Sequence, residues 1–434
     1  MNLSEQVQSV ILSNLQPAGK RLVGIEIECL VYDHRLRRIP VNPGPQFSAT
    51  DLLAQLSLWQ VNNKQCIHYS LEPGGQLEYA SPPVSDLHIA NTQYQQHLEQ
   101  LLRICDQENL ILLDYALEPL YKPAEVELIT QKKYQIMHNF FTKTGSQGSW
   151  MMRNTTSVQV NIDISSQRDA EQMAFIADCL EPITALLFAH APFYNGKTAG
   201  TRNLRYNIWH DTDPARCGNL MDHGIISPDG LLEKYANWIL SVPMIFANDS
   251  NGESIPYDGN MGNWLQSRAS AGIVPTADIQ TVLHQIFTHV RFKHVLEVRG
   301  TDRPLCGNDM APAAFWLGLL TAEVTRAKVL DLLQSWSIAT RTALNRAAAI
   351  LNLQQIAPDG RFIDDWIGEV CDLALTGLDE RAKELKIDSE RGFLDNYLKE
   401  FFRIGPPAIY IQNLYKRNKL PLIDFIKTWA ITCE

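Results

Sequence analysis

Long apolar runs are missing from this chain. No stretch approaches the roughly 20 residues that a membrane-spanning helix needs. Closely paired cysteines are missing too. The eight cysteines stand at 29, 66, 105, 179, 217, 306, 371 and 433, which excludes zinc-ribbon and dithiol redox motifs. In a reducing compartment they read as buried thiols, and their spacing neither marks nor excludes a bridge between distant ones. There is no basic run. Lys and Arg number 38 against 48 Asp and Glu, a net charge of −10, so general affinity for nucleic acid or anionic membrane is not expected. The first residues, MNLSEQVQSVILSNLQ, lack the basic and then strongly apolar profile of a secretion signal and read as an amphipathic helix. Together these absences set the expectation of a cytoplasmic protein.

Several chemistries are missing as well. There is no G-x-x-x-x-G-K-[ST], no G-x-G-x-x-G after a strand and no H-E-x-x-H. The loop TGSQGSW, with its two glycines, is too weak a pattern for a phosphate cradle. The 11 histidines are dispersed and read singly as structural or exposed. No internal repeat or low-complexity tract interrupts the chain.

What is present is an ordinary globular composition, 45% apolar and 20% charged, over 434 residues. That length exceeds one usual compact core. The expected division is a catalytic sheet with flanking helices over 1–310 and a helical region packed on it over 311–434. The stretch LVGIEIECLVY (22–32) alternates apolar residues with Glu26 and Glu28, a β-strand with both carboxylates on one face. TDLLAQLSLWQV predicts a helix capped by Thr50. CIHYSLEPGGQLEYASPP predicts two strands joined at Pro73-Gly74-Gly75. The next helix has Ser85 or Asp86 as its cap, and LILLDYALEPL returns to strand. SVQVNIDIS alternates again. A helix interrupted near Pro182 follows, then a mobile loop over 248–275 rich in Asn, Ser and Gly, a helix over DIQTVLHQIFTHV, and a strand at HVLEVRGTD. From Ala311 onward the pattern is almost wholly helical. The layout is α+β with a largely antiparallel sheet.

Four strands share an apolar face and a polar face poor in lysine. The polar faces carry Glu26 and Glu28; Glu78 with Gln76; Gln159 with Asn161 and Asp163; and Glu297 with Arg299. Glu72 lies just ahead of the Pro-Gly-Gly turn. Two carboxylates about 7 Å apart on one strand face repel by on the order of 2 kcal/mol at an effective dielectric of about 20. Hard cations such as Mg²⁺ take oxygen ligands and leave positions for phosphate oxygens, and arginine presents a planar fork to such anions. The same pattern also describes half-exposed strands with solvated charges. The alternation alone leaves both readings open.

The ordered strings SLEPGGQLEYASPP, YQIMHNFFTKTGSQGSWMM, SVQVNID, LRYNIWHDTDPARCG, VPMIFA and LEVRGTD resemble the plant-type glutamate–cysteine ligase family, which has bacterial members. The likeness runs from about Arg21 to about Leu320 and weakens in the helical tail. It implies a glutamine-synthetase-like fold, an antiparallel sheet curled into a funnel and flanked by helices. It implies an ATP-dependent ligase that forms a γ-glutamyl phosphate and then a γ-glutamyl amide, with cysteine as the amine. A different amine acceptor on the same fold is the alternative. By motif, the resemblance places metal ligands at Glu26, Glu28, Glu72, Glu78, Gln159 and Glu297, for two or three Mg²⁺ ions. Arg299 falls at the transferring phosphate of ATP, and Arg205 at the glutamate and phosphoryl end. Thr155 is assigned to the substrate pocket, and Tyr235 and Trp238 to the acceptor. The implied partners are small molecules only, with a monomer or homodimer. The chain departs from the plant pattern at Lys133, His138 and Asn154, where plant members carry arginine, and at Arg303 to Cys306, which replace Gly-Gly-Pro-Trp. A catalytically dead homologue and a phosphotransferase of the guanidino-kinase type are the rivals from other classes.

Overall fold

The computed structural model describes residues 1–249 and 251–432; Cys433 lies outside them. Among these residues the chain starts with α1 (Leu3–Ile11), whose N-terminal N–H groups are capped by Asn2, and enters the long strand β1 (Val23–Asp33). Helix α2 (Ala49–Asn62) leads to β2 (His68–Leu71) and β3 (Leu77–Ala80). Helix α3 (Leu87–Glu108) is capped by Asp86 and feeds β4 (Leu110–Leu113). Two shorter helices, α4 (Lys132–Phe141) and α5 (Gly148–Asn154), precede β5 (Val158–Ile162). Then come α6 (Gln167–Leu187), α7 (Leu204–His210) and α8 (Leu231–Ser241). A hairpin of Phe246–Asn248 with Ser254–Pro256 is followed by α9 (Met261–Arg268) and α10 (Thr276–Leu283). The last two strands of the main sheet are Val290–Phe292 and Leu296–Val298, and α11 (Ala311–Leu320) opens the helical tail.

The main sheet is antiparallel throughout and open at its edges. Its order is Val290–Phe292, Leu296–Val298, β5, β1, β3, β2, with β4 paired to the far half of β1. Strand β1 is the hub. Its register sets Glu26 opposite Gln159 of β5, and Glu28 opposite Glu78 of β3. Glu297 lies opposite Asn161. Since alternate residues share a face, the acidic positions of four strands come to one side. The other side (Ile25, Ile27, Tyr79, Val158, Val160, Ile162, Val298) is buried, with α3, α6 and α11 packed against the sheet. One apolar core runs continuously from α1 through the sheet into the tail helices.

Several expectations need correcting. Helix α2 is capped by Ser48, not Thr50; Ser48 Oγ accepts from the Asp51 N–H at 3.2 Å and Asp51 returns the bond. Helix α6 runs unbroken through Pro182. A proline there removes one helical bond and crowds the preceding turn, but Met173–Leu187 is buried almost without exception, and packing on all sides offsets that loss. The 248–275 stretch holds half of the hairpin and all of α9. Its Asn-rich composition hid an apolar stripe of Met261, Trp264 and Leu265. The helix over DIQTVLHQIFTHV stops at Leu283. Beyond it the Arg291 guanidinium donates to the carbonyls of His284 and Ile286, and the chain turns into the sheet.

Helix α11 and the helix Ile363–Leu385 approach most closely at Gly318 and Gly377, where a methyl on either would collide with the facing backbone carbonyl. Overpacking of this kind costs roughly 1–3 kcal/mol. Gly377→Ala is therefore expected to lower the thermal midpoint by several degrees in a calorimetric scan, whereas Gly392→Ala, at an open position, leaves it nearly unchanged.

Candidate active site

The acidic face of the sheet forms the floor of a cavity of about 520 Å³. The SLEPGGQLE string builds the edge of that floor. Gly75 takes a left-handed φ of +77°, and its N–H closes the turn on the Glu72 carbonyl at 2.8 Å. Gly74 lies against the Arg153 backbone with no room for a Cβ. Gln76 is buried; its Oε1 accepts from the Gly74 N–H and its Nε2 donates to the Thr155 carbonyl at 2.9 Å. The turn is thus locked to α5, and Glu72 is delivered into the cavity next to β3.

Glu28, Glu72 and Glu78 each bring a carboxylate oxygen within 4.8 Å of the other two. Glu28 accepts from both the N–H and the hydroxyl of Ser157 at 2.9 Å, and from Gln159 Nε2 at 3.2 Å. Glu78 accepts from the Ser70 hydroxyl at 2.5 Å. No cation forms a salt bridge with any of the three among the described residues. Burial first, and then the neighbouring carboxylates, push Glu28 and Glu72 up to about 7 and Glu78 to about 8. A trio that must either take up protons or receive a cation, built of hard oxygen donors, fits a divalent ion such as Mg²⁺. Glu26 also lines the cavity and accepts from Asn161 Nδ2 at 2.9 Å.

The wall opposite is basic. Glu297 is fully buried and gathers three cations: Lys293 at 2.6 Å, Arg299 at 3.1 Å, and Arg291. These partners hold its carboxyl well below the usual range against the opposing effect of burial. Arg299 also donates to Gln159 Oε1 at 2.6 Å. Arg291, Lys293 and Arg299 all border the cavity, while Glu297 lies behind them. The structure therefore brings Glu26, Glu28, Glu72, Glu78, Gln159, Arg205, Arg299 and Thr155 to one cavity, but sets Glu297 apart from the carboxylate trio, where three cations already neutralise it. Arg205 is buried and donates to the carbonyls of Gly300 at 2.8 Å and Arg299 at 3.1 Å, and pairs with Asp302. Thr155 offers its side chain to the cavity while its hydroxyl caps the Met151 carbonyl.

Tyr235 and Trp238 do not border this cavity. Tyr235 is fully buried behind the sheet edge, 5.1 Å from the Phe292 ring, with its hydroxyl accepting from the Phe292 N–H. Trp238 stacks on His223 at 4.1 Å. The acceptor placement that the resemblance implied for them falls instead on α8, where Tyr235 belongs to the buried face and Trp238 is partly buried against the core. Sequence reading missed Lys293 and Arg291 as cavity residues, although both continue the alternation that carries Glu297 and Arg299. Lys133 was noticed only as a departure. Its ammonium lies over the rings of Tyr134 and Phe246 at 5.1 and 5.9 Å. The other departures do not reach the cavity. Arg303 is buried beneath β1 and donates to the Glu28 carbonyl at 2.7 Å; Asn154 donates to the Tyr121 carbonyl.

Raised carboxyls link stability to pH. A group moved from its ordinary 4.5 to 7 or 8 on folding contributes fully below the unfolded value, and that contribution is lost as pH climbs through the folded one. The thermal midpoint of metal-free protein is therefore expected to fall between about pH 5 and about pH 8.5, and to fall less in Glu72→Gln. Magnesium is expected to raise it more at the higher pH; an equal response at both ends counts against the trio as a cation site.

Residues 22–394 match the family model described as glutamate-cysteine ligase family 2 (GCS2). Chloroplastic glutamate–cysteine ligase A of Oryza sativa subsp. indica is 33% identical over 367 residues, covering 82% of this chain and 71% of that protein. The chloroplastic glutamate–cysteine ligase of Medicago truncatula is 33% identical over 366 residues, covering 82% and 69%. The crystal structure of the Francisella tularensis glutamate–cysteine ligase in complex with AMP shares the fold, with a TM-score of 0.58 and 14% identity over 96% of this chain and 88% of that one. The cytoplasmic expectation does not stand, because these plant relatives are chloroplastic proteins by name. From the match over nearly the whole chain and the one-third identity to the plant enzymes, this protein belongs to the glutamate–cysteine ligase family 2 and is a carbon–nitrogen ligase.

Proposed function

We propose that the cavity joins the γ-carboxyl of glutamate to the amine of cysteine, with ATP converted to ADP and phosphate. The observation that carries this reading is the division of one cavity into an acidic floor and a basic wall. A polyphosphate escorted by cations needs both. Glu28, Glu72 and Glu78 are the residues that would hold magnesium, and Glu26, on the same strand face, would supply a carboxylate for a second ion. Bound there, magnesium offsets the negative charge of the phosphates.

The chain's own residues do the rest. A γ-carboxylate oxygen of glutamate attacks the terminal phosphorus, and the bond to ADP breaks. Arg299 faces the cavity with guanidinium N–H groups beyond those bound to Glu297 and Gln159. It stabilises charge on the transferring phosphoryl group in a position fixed before the reaction. Lys293 has one carboxylate partner for three N–H groups, and Lys133 pairs with no carboxylate among the described residues. Both reach the same phosphates. Arg205 ties the Arg299–Gly300 carbonyls down, so Arg299 keeps its direction. The amine then attacks the acyl carbon, phosphate leaves, and the amine gives up its proton. Met137, Met151 and Met152 line the apolar part of the cavity, a soft surface suited to a thiol side chain.

With glutamate, Mg²⁺ and ATP, ADP release should be stimulated most by cysteine among a panel of amino acids; stimulation by another amine and none by cysteine overturns the acceptor assignment. In calorimetric titrations without divalent ions, Lys293→Met and Lys133→Met are each expected to weaken ADP about tenfold, near 1.4 kcal/mol, and to leave AMP within about twofold, since a lost phosphate contact costs on that scale.

A further inference from the structure

Behind the basic wall lies a buried group that none of the chemistry above uses. Glu181, on α6, is fully buried, and neither of its carboxyl oxygens has a hydrogen-bond partner. It presses against Gly300, so closely that a Cβ at position 300 would collide with Oε1. The nearest basic group is His289, whose Nδ1 stands 3.5 Å from Oε1. His289 is itself buried; its Nε2 meets His210 Nε2 at 3.4 Å, and its ring lies parallel to Tyr206 at 5.6 Å.

This pair is joined to the catalytic wall through the backbone. The Arg299 N–H donates to the His289 carbonyl at 2.8 Å. The carbonyls of Arg299 and Gly300 accept from Arg205. The Arg299–Gly300 peptide is therefore clamped between Arg205 on the cavity side and Glu181 with His289 on the buried side. We infer that Glu181 and His289 stand against each other as an uncharged acid–imidazole pair, and that this pair is a positioning device which sets how far Arg299 and Arg205 reach into the cavity. The inference rests on the ligase reading of that cavity.

The surroundings of the pair support its neutrality. Glu181 faces Arg205, Asp178 and Asp302 besides His289; His289 faces His210, Arg205 and Arg299. Asp178 is paired with Arg341 and Asp302 with Arg205, and among the described residues no lysine or arginine forms a salt bridge with Glu181. Burial pushes Glu181 well above the carboxylate range and His289 well below the usual imidazole value, the direction of an uncharged pair. An uncharged pair also explains the close seating of Gly300. An ionised carboxylate there would need hydrogen-bond donors, and neither oxygen has one.

Three variants test this in the full-length enzyme, with ADP release in the wild type first establishing the ligase; its absence overturns that reading and not the pair. Glu181→Gln keeps shape and neutrality, and is expected to retain kcat and KM within about twofold with an unchanged pH profile from about 6.5 to 9. Glu181→Ala is expected to lower kcat at least tenfold while KM for glutamate moves less than threefold. Gly300→Ala, which displaces the peptide without deleting a buried group, is expected to do the same. Loss of kcat in Glu181→Gln equal to that in Glu181→Ala shows that a charge is needed and overturns the neutral pair. Wild-type kcat in Gly300→Ala, or in folded Glu181→Ala, overturns the positioning role.

Discussion

Crowding of like charge on a buried sheet face is the constraint around which this molecule is organised. Three carboxylates from β1, from the Pro-Gly-Gly turn and from β3 meet within 4.8 Å, with burial raising each of them. Left ionised and uncompensated, such a group would strain any fold, since removing charge from water costs several kcal/mol per ion. The surroundings soften the cost without cancelling it. Ser157 and Ser70 donate to two of the three, and Arg303 anchors the backbone of Glu28 from below. What remains is a demand for positive charge that a divalent ion can meet. Strand register, the locked turn and the buried Gln76 all serve to hold that demand in one place.

Much of this was legible in the sequence because a strand has a period of two. Once Glu26, Glu28, Glu78, Gln159 and Glu297 were read as alternating with buried apolar residues, their common face followed from antiparallel pairing alone. The strand pairings put Glu28 opposite Glu78 and Glu26 opposite Gln159. Periodicity could not reveal what a side chain meets on that face. Glu297 sits on the expected side, yet Arg291, Lys293 and Arg299 surround it; the alternation puts all four on one face but does not say which of them touch. Tyr235 and Trp238 failed for the opposite reason. Aromatic residues at helical spacing look alike whether they line a pocket or a core, and here they pack against Phe292 and His223.

Irregular and short elements were the least legible. Helix α9 is polar on its solvent side and carries only three buried residues, so its composition reads as loop. Helix α4 carries Lys133 and Tyr134 into the cavity, yet only Met137 and Phe141 of its ten residues are buried. Pro182 signalled a break in α6 that packing overrode. In each case tertiary contact decided the local structure, which is the usual limit on propensity.

The basic wall shows why Glu297 matters even apart from the trio. Were Arg291, Lys293 and Arg299 free to swing, the nearest relief for them would be Glu28, Glu72 and Glu78, and acids and bases would neutralise one another across an empty cavity. At about 4 Å and an effective dielectric near 20, each such pair gains about 4 kcal/mol before desolvation and chain entropy are counted. A single buried carboxylate behind the wall prevents that collapse. Glu297 holds the three cations on their own side with part of their hydrogen-bonding capacity unspent, and Gln159, donating to Glu28 while accepting from Arg299, keeps the two sides in register. Because one residue restrains the cations and the sheet register restrains the acids, both halves stay available to a ligand that carries phosphate and metal together. The separation of charge, more than either cluster by itself, is what makes the cavity fit for phosphoryl transfer.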